Sequence, residues 1–153
     1  ADDVTADLQY YDAHILVGQL TGEVTALLEQ YGFTVRAAVA PLSCSVCLDM
    51  LLLKRVTDNL LDNVRKYADP TQPVHIAVQQ DGAWLSMCID NAIRRDPDRT
   101  QSNRIGLRAC RKLLEQMHGQ FVTHEENGRF CAELLLPAGS AAVTEERPQP
   151  PTE

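Results

Sequence analysis

One stretch, residues 56–67, constrains the fold more than any other because it has the pattern of a helix with two chemically different faces. Its apolar residues recur at helical spacing and predict one buried face: Val56, Leu60, Val64 and Tyr67. A second face carries polar side chains at positions i, i+4 and i+7: Asn59, Asn63 and Lys66. Folding alone does not require two carboxamides and an ammonium group in line on one side of a helix.

The polar face has two interpretations. The carbonyl oxygens of two asparagines can ligate a hard cation such as Mg²⁺, and a lysine one turn further on can meet a phosphate group. Alternatively, the face is ordinary solvated surface, since asparagine and lysine are common surface residues. The stretch by itself leaves both interpretations open.

Length and charge narrow the class of protein. A chain of 153 residues predicts one domain with enough material for a core. The net charge of −7 argues against nucleic acid as the main partner, because nucleic-acid binding needs a basic surface. No apolar run approaches the roughly 20 residues that are needed to span a bilayer.

The five cysteines are an odd number and predict reduced thiols in a cytosolic protein: Cys44, Cys47, Cys88, Cys110 and Cys131. The pair Cys44 and Cys47 has the spacing of a redox or zinc motif. A structural zinc site would need a second pair of ligands, which the sequence does not supply. The thiols are therefore interpreted as ordinary buried or half-buried side chains.

Helical periodicity alternates with strand alternation along the chain. Helices are predicted over residues 15–31, 50–67 and 106–118, with Asp49 placed to cap the second one. Strands are predicted over residues 33–39, 42–48, 74–78, 83–89, 121–123 and 130–136, with Pro137 ending the last one. The first two strands are expected to pair, and hairpin turns are expected at Asp81-Gly82 and Asn127-Gly128. Residues 94–103 are predicted to form a polar loop.

This order predicts an α/β (α+β) two-layer sandwich, in which about three helices cover one face of a mixed, mostly antiparallel sheet. The domain is expected over residues 14–137. Residues 1–13 are expected to form a linker, and the acidic, proline-rich residues 138–153 a disordered tail.

Four segments, in this order, resemble the catalytic ATP-binding domain of sensor histidine kinases, which has the GHKL (Bergerat) ATPase fold. Residues 58–67 are similar to the asparagine box of that family, and residues 85–91 to the strand that ends in the aspartate of its first glycine box. Residues 104–119 are similar to the second glycine box and its helix, and residues 128–137 to the closing strand. Each segment alone is weakly specific, but the four in order over residues 14–137 are specific.

The resemblance implies a binding site for ATP and Mg²⁺. It implies Asn63 as the metal ligand, Asn59 and Lys66 near the phosphates, and Asp90 as the acceptor of the adenine amine. Tyr67 would pack on the adenine, and backbone amides near Gly106 would approach the phosphates. The full set of implied ATP-binding residues is Asn59, Asn63, Lys66, Tyr67, Asp90, Ala92, Gly106 and Leu107.

The resemblance also implies an activity and partners. The domain would transfer the γ-phosphate of ATP to a histidine on a separate dimerisation domain, and a response regulator would be the next partner. The histidines in this chain do not lie in the sequence context of such an acceptor: His14, His75, His118 and His124. This segment alone is therefore expected not to autophosphorylate. The expected location is a cytoplasmic domain of a parent protein that can be membrane-anchored.

The first glycine box departs from the family pattern, because residues 90–94 read Asp-Asn-Ala-Ile-Arg and contain neither expected glycine. A position there that needs a positive φ would cost isoleucine or arginine about 1–2 kcal/mol. Only 15 residues separate Asp90 from Gly106, fewer than in the usual ATP lid. Two alternatives follow: a degenerate domain with weak or no ATP binding that serves as a protein-interaction module, and another GHKL ATPase such as an anti-sigma-factor kinase.

Overall fold

The structure is a computed structural model that describes residues 5–95 and 104–139. Within these ranges the strands are β1 (Gln9–Asp12), β2 (Val35–Val39), β3 (Ser45–Leu48), β4 (Val74–Asp81), β5 (Trp84–Ala92), β6 (Gln120–Glu126) and β7 (Arg129–Gly139). The helices are α1 (Ala13–Gln30), α2 (Met50–Tyr67) and α3 (Arg104–Gln116). The three predicted helices and both predicted hairpins are confirmed. Most of the loop predicted over 94–103 lies outside the described residues.

The strands form one sheet in the order β1-β3-β7-β5-β4-β2, with β6 paired to β7. Only the β2–β4 pair is parallel among the described strands, so the prediction of a mixed, mostly antiparallel sheet is confirmed. One face of the sheet packs on helices: Ile76, Met87 and Leu134 line the same interior space as Leu20 of α1 and Leu60 of α2. None of the described helices is long and apolar enough to cross a membrane.

The domain begins earlier than residue 14. Residues 9–12, predicted as linker, form β1 and pair antiparallel with β3. These residues have no apolar alternation of their own, and their partner lies more than 30 residues further along the chain. A local sequence pattern could not reveal a strand that depends on a distant partner.

The prediction that the first two predicted strands pair with each other is wrong. β2 pairs in parallel with β4 and is an edge strand that is mostly exposed. All four residues of β3 are buried, and β3 lies between β1 and β7. A fully buried strand needs backbone hydrogen-bond partners on both edges. An exposed edge strand such as β2 needs them on one edge only, because water satisfies the other edge.

Pro137 does not end the last strand, because β7 continues to Gly139. The amide of Ala138 donates to the carbonyl oxygen of Ala83 at 2.8 Å. Successive N–H groups of a strand point to alternate edges, so the N–H that Pro137 lacks would point away from β5, towards the edge of β7 that pairs with β6 and β3. On that edge, pairing with β6 ends at Leu135 and pairing with β3 begins at Ala138. Pro137 therefore lies between the two partner strands, where no donor is needed. Two residues of the predicted tail therefore belong to the sheet.

The N-terminus of α2 is held by the buried carboxylate of Asp49. One carboxylate oxygen accepts from the amides of Leu51 and Leu52 at 2.9 and 3.1 Å, which confirms the predicted cap. The other oxygen accepts from the amide of Asp7 at 2.8 Å. One side chain thus fixes the start of α2 and the segment before β1.

Replacing Asp49 by alanine should lower the free energy of unfolding by about 1–3 kcal/mol, since three backbone donors lose their acceptor. The matched control is Asp12→Ala, which removes the cap of α1. Asp12 is exposed and accepts from Ile15 at 3.2 Å, so a loss of about 0.5–1 kcal/mol in the free energy of unfolding is expected. Urea denaturation of both variants gives the comparison, and equal losses would contradict the role assigned to Asp49.

Gly119, which follows α3, is required by close packing. A Cβ atom there would lie 2.4 Å from the carbonyl oxygen of Leu135 and 2.9 Å from Leu114 Cδ1. Gly119→Ala should therefore destabilise the fold by about 1–3 kcal/mol. A Cβ atom at Gly22 of α1 would meet nothing within 4 Å, so Gly22→Ala should stabilise by about 0.5–1 kcal/mol. Thermal unfolding of the two variants should show shifts of opposite sign.

Candidate functional site

The two carboxamides of α2 differ in exposure. Asn63 is 7% exposed and lies on the helix beside the buried Val64, whereas Asn59 is half-buried. A carboxamide is stable in such a place only when its polar atoms find partners. Ordinary solvated surface is therefore excluded as the environment of Asn63.

α3 borders the side of α2 that carries Asn59. The Asn59 side chain hydrogen-bonds the thiol of Cys110 on α3. The same thiol donates to the carbonyl oxygen of Val56 at 3.7 Å. One turn before Cys110, Gly106 and Leu107 lie in the first turn of α3. Backbone amides of a first helical turn have no acceptor within the helix and sit at its positive end, so they favour an anion close to Asn59.

The end of β5 is joined to the end of α2. Ala68 and Ile93 form an antiparallel bridge, and the amide of Asp69 donates to the carbonyl oxygen of Ala92 at 2.9 Å. The amide of Arg94 donates to the carbonyl oxygen of Tyr67 at 2.8 Å. Tyr67 and Ala92, two residues of the predicted site, thus lie on the two segments that these main-chain hydrogen bonds join.

The missing glycines do not strain the backbone. Among the described residues, the non-glycine positions with positive φ are His118 and Asn127, and residues 92–94 are not among them. The Arg94 guanidinium donates to the carbonyl oxygen of Lys66 at the C-terminus of α2. Arg94 therefore acts on the end of a helix, and the substitution of both glycines is accommodated by an extended, paired segment.

Asp90 points to the face of the sheet that is opposite to the helices. On β5, Leu85 and Met87 face the core, so Ser86, Cys88 and Asp90 share the other face. Side-chain contacts between β5 and β7 support this assignment of faces, since Ser86 contacts Glu133 and Cys88 contacts Cys131.

The Asp90 carboxylate accepts from Arg129 Nε at 2.7 Å on this outer face. This position is not the one that the sequence led us to expect, because the polar side of α2 lies on the other side of the sheet. The structure brings Asp90 to Arg129 and does not bring it to the two asparagines.

Asn91 is the polar residue that faces the helices at this end of β5. It is 2% exposed, and its Nδ2 donates to the carbonyl oxygen of Ala92 at 2.9 Å. Its Oδ1 is buried without a hydrogen-bond partner in the described ranges 5–95 and 104–139. Sequence reasoning missed this residue, although the alternation of Leu85, Met87 and Ile89 continues directly to it.

Lys66 is exposed and already has a charged neighbour. Its Nζ lies 3.1 Å from a carboxylate oxygen of Asp62, one helical turn before it. Partial burial alone would raise the pKa of Asp62, but hydrogen bonds from Arg65 and Lys66 lower it. The carboxylate therefore remains ionised and shares Lys66 with any phosphate that binds.

All five thiols are free, and all are buried or half-buried, as the sequence predicted. In the part of the chain that the structure describes, no group of three His, Cys, Asp or Glu side chains could hold a metal ion. A metal at this site would depend on amide oxygens and on oxygens that a ligand and water supply.

Comparison with known proteins agrees with this architecture. The family model of histidine kinase-, DNA gyrase B- and HSP90-like ATPases matches residues 48–140. The sensor histidine kinase YrkQ of Bacillus subtilis is 26% identical over 125 residues. That alignment covers 82% of this chain and 29% of the relative, so the chain spans less than a third of its length.

Solved structures show the same fold. The catalytic domain of histidine kinase ThkA has a TM-score of 0.69 at 16% identity, covering 86% of this chain and 97% of that one. Full-length ShkA in complex with AMPPNP has a TM-score of 0.69 at 19% identity, covering 92% of this chain and 33% of that one. AdeS of Acinetobacter baumannii has a TM-score of 0.66 at 12% identity, covering 88% of this chain and 68% of that one.

The chain therefore belongs to the family of histidine kinase-, DNA gyrase B- and HSP90-like ATPases. Within that family it has the fold of histidine kinase catalytic domains. The predicted GHKL ATPase domain is confirmed.

The contact between α2 and α3 should make stability fall at alkaline pH. Burial raises the pKa of Cys110 to about 11 from 9.0, although the Asn59 contact lowers it. The folded state thus favours the neutral thiol, so its stabilisation is complete below pH 9 and is lost as the pH rises towards 11. Relative to Cys110→Ala, the wild-type protein should lose an additional ~2–3 kcal/mol across this window. Urea denaturation from pH 7 to 11 measures the difference, and parallel profiles would contradict it.

Proposed function

We propose that this domain binds ATP with Mg²⁺ and is the catalytic domain of a sensor histidine kinase, transferring the γ-phosphate to a histidine on a separate dimerisation domain. The observation that carries the proposal is the burial of Asn63 on the α2 face that also bears Asn59, next to the first turn of α3. Membership of the ATPase family supports it.

The chemistry of the side chains fits Mg²⁺. The ion prefers oxygen ligands and commonly keeps several waters while it binds substrate phosphates through one or two protein groups. A site with one amide oxygen from Asn63, and with no carboxylate cluster among residues 5–95 and 104–139, suits that mode of binding. When bound, the metal supplies charge neutralisation at the phosphates.

The remaining residues orient the nucleotide. The amides of Gly106 and Leu107 favour the phosphates at the start of α3, and Asn59 lines the phosphate region beside them. Lys66 adds positive charge that it shares with Asp62. Tyr67 and Ala92 lie on the two joined segments where α2 and β5 end, and Tyr67 is the residue proposed to pack on the adenine.

Phosphoryl transfer of this kind depends mainly on positioning and on electrostatic stabilisation. The acceptor histidine is proposed to belong to the dimerisation domain, and a response regulator is proposed to receive the phosphoryl group afterwards. His75, His118 and His124 are exposed, two on strands and one directly after a helix. This domain alone is therefore expected to bind nucleotide without autophosphorylating.

Replacing Asn63 should weaken Mg²⁺-dependent nucleotide binding. Calorimetric titration with AMPPNP, with and without Mg²⁺, should give at least ~10-fold weaker binding for Asn63→Ala, since a metal ligand is lost. Asp58→Ala, an exposed change on the same helix, is the matched control and should bind as the wild-type protein does. Circular dichroism confirms that each variant is folded.

Two outcomes would contradict the proposal. Unchanged affinity in a folded Asn63→Ala variant would exclude Asn63 as the ligand. No binding by the wild-type domain at millimolar nucleotide would exclude an ATP site and favour a role as a protein-interaction module.

A further inference from the structure

The outer face of the sheet carries two thiols in direct contact. The Sγ atoms of Cys88 on β5 and Cys131 on β7 lie 2.6 Å apart, and both thiols are free. The S–S bond of a disulfide is about 2.05 Å long, so these two atoms need to approach each other by only ~0.5 Å to be bonded. The nucleotide site proposed above makes no use of this pair.

The contact between the two thiols belongs to a repeated pattern across β5 and β7. In the strand register the two cysteines are diagonal neighbours, because the residues directly opposite them are Glu133 and Asp90. These two carboxylates are engaged along the same diagonal, by Ser86 at 2.6 Å and by Arg129 at 2.7 Å. Three successive diagonal contacts therefore run across the two strands, and the thiols form the middle one.

Solvent reaches this pair of thiols more easily than the other cysteines. All five cysteines lie in the described ranges, and Cys88 and Cys131 are the two that are half-buried, whereas the other three are buried. The flanking strands leave the pair open: Ala77, opposite Cys88 on β4, is exposed. His124, opposite Cys131 on β6, is also exposed. A small oxidant can therefore reach these two thiols without entering the core.

We propose that Cys88 and Cys131 form a redox modification site, at which a peroxide oxidises the two thiols to a disulfide bond. One sulfur attacks a peroxide oxygen and breaks the O–O bond, which gives a sulfenic acid and releases an alcohol, or water from hydrogen peroxide. The second sulfur attacks the sulfenic sulfur and displaces water. The two thiols lose two electrons and two protons, and the peroxide takes up both. A thiol reductant reverses the modification by exchange.

The hydrogen bond between the thiols sets the order of the two attacks. Burial raises the pKa of both thiols. Their contact lowers the pKa of Cys131 and raises that of Cys88 further. Since the thiolate is the nucleophile, Cys131 attacks the peroxide and Cys88 then attacks the sulfenic acid. The first attack is slower than that of a cysteine with a low pKa.

The test is treatment of the folded domain with hydrogen peroxide, followed by peptide mapping with mass spectrometry. The expected product has one disulfide bond, between Cys88 and Cys131, and the mass loss of two hydrogen atoms. Reduction with dithiothreitol should restore all five free thiols. Cys44→Ser, which removes a buried thiol of the CxxC pair, is the matched control and should form the same bond at the wild-type rate.

The order of attack is tested with dimedone, which traps sulfenic acids. In Cys88→Ser the sulfenic acid at Cys131 has no thiol to attack it, so dimedone should label Cys131. In Cys131→Ser, labelling of Cys88 should be at least ~5-fold slower, because its pKa is raised further. Equal labelling rates in the two variants would overturn the assigned order.

The mapping of the wild-type protein decides the proposal even if a serine variant does not fold. Five free thiols after prolonged peroxide treatment of the folded domain would overturn it. A disulfide bond between Cys44 and Cys47, or between two copies of the chain, in place of the Cys88–Cys131 bond would overturn it as well.

Discussion

The site depends on α2 being held at both ends. At its start, the Asp49 carboxylate binds two amides of the first turn and the amide of Asp7. At its end, Arg94 bonds the carbonyl oxygens of Lys66 and Tyr67. Between these points the apolar face of α2 packs into the core, and Asn59 and Asn63 lie together on another side of the helix. Because a helix is rigid, fixing its ends fixes the position of every side chain that it presents.

The absence of both expected glycines after Asp90 changes which groups of the protein can line the candidate site. Glycines provide backbone freedom and close approach. In this chain the same segment is extended and paired with the residues that follow α2, so its hydrogen-bonding groups are used within the protein. In the proposed site, contacts to a nucleotide come instead from side chains and from the amides at the start of α3.

Sequence periodicity predicted the elements that carry their own pattern, including α2 with its cap at Asp49 and the turns at Asp81-Gly82 and Asn127-Gly128. It could not predict β1 or the partners of β3, because strand pairing depends on distant residues. The continuation of β7 past Pro137 depends on a gap between two partner strands, which no local signal reports. At the site, motif similarity predicted Asp90, whereas the alternation of β5 places its side chain on the outer face beside Arg129.

The bond from Asp7 to Asp49 links the segment before β1 to the start of α2. Residues 5–8 lead into β1, and their backbone shares one carboxylate with the first turn of the helix that bears the asparagines. A displacement of the backbone at Asp7 would therefore bear on the start of α2 through a single side chain.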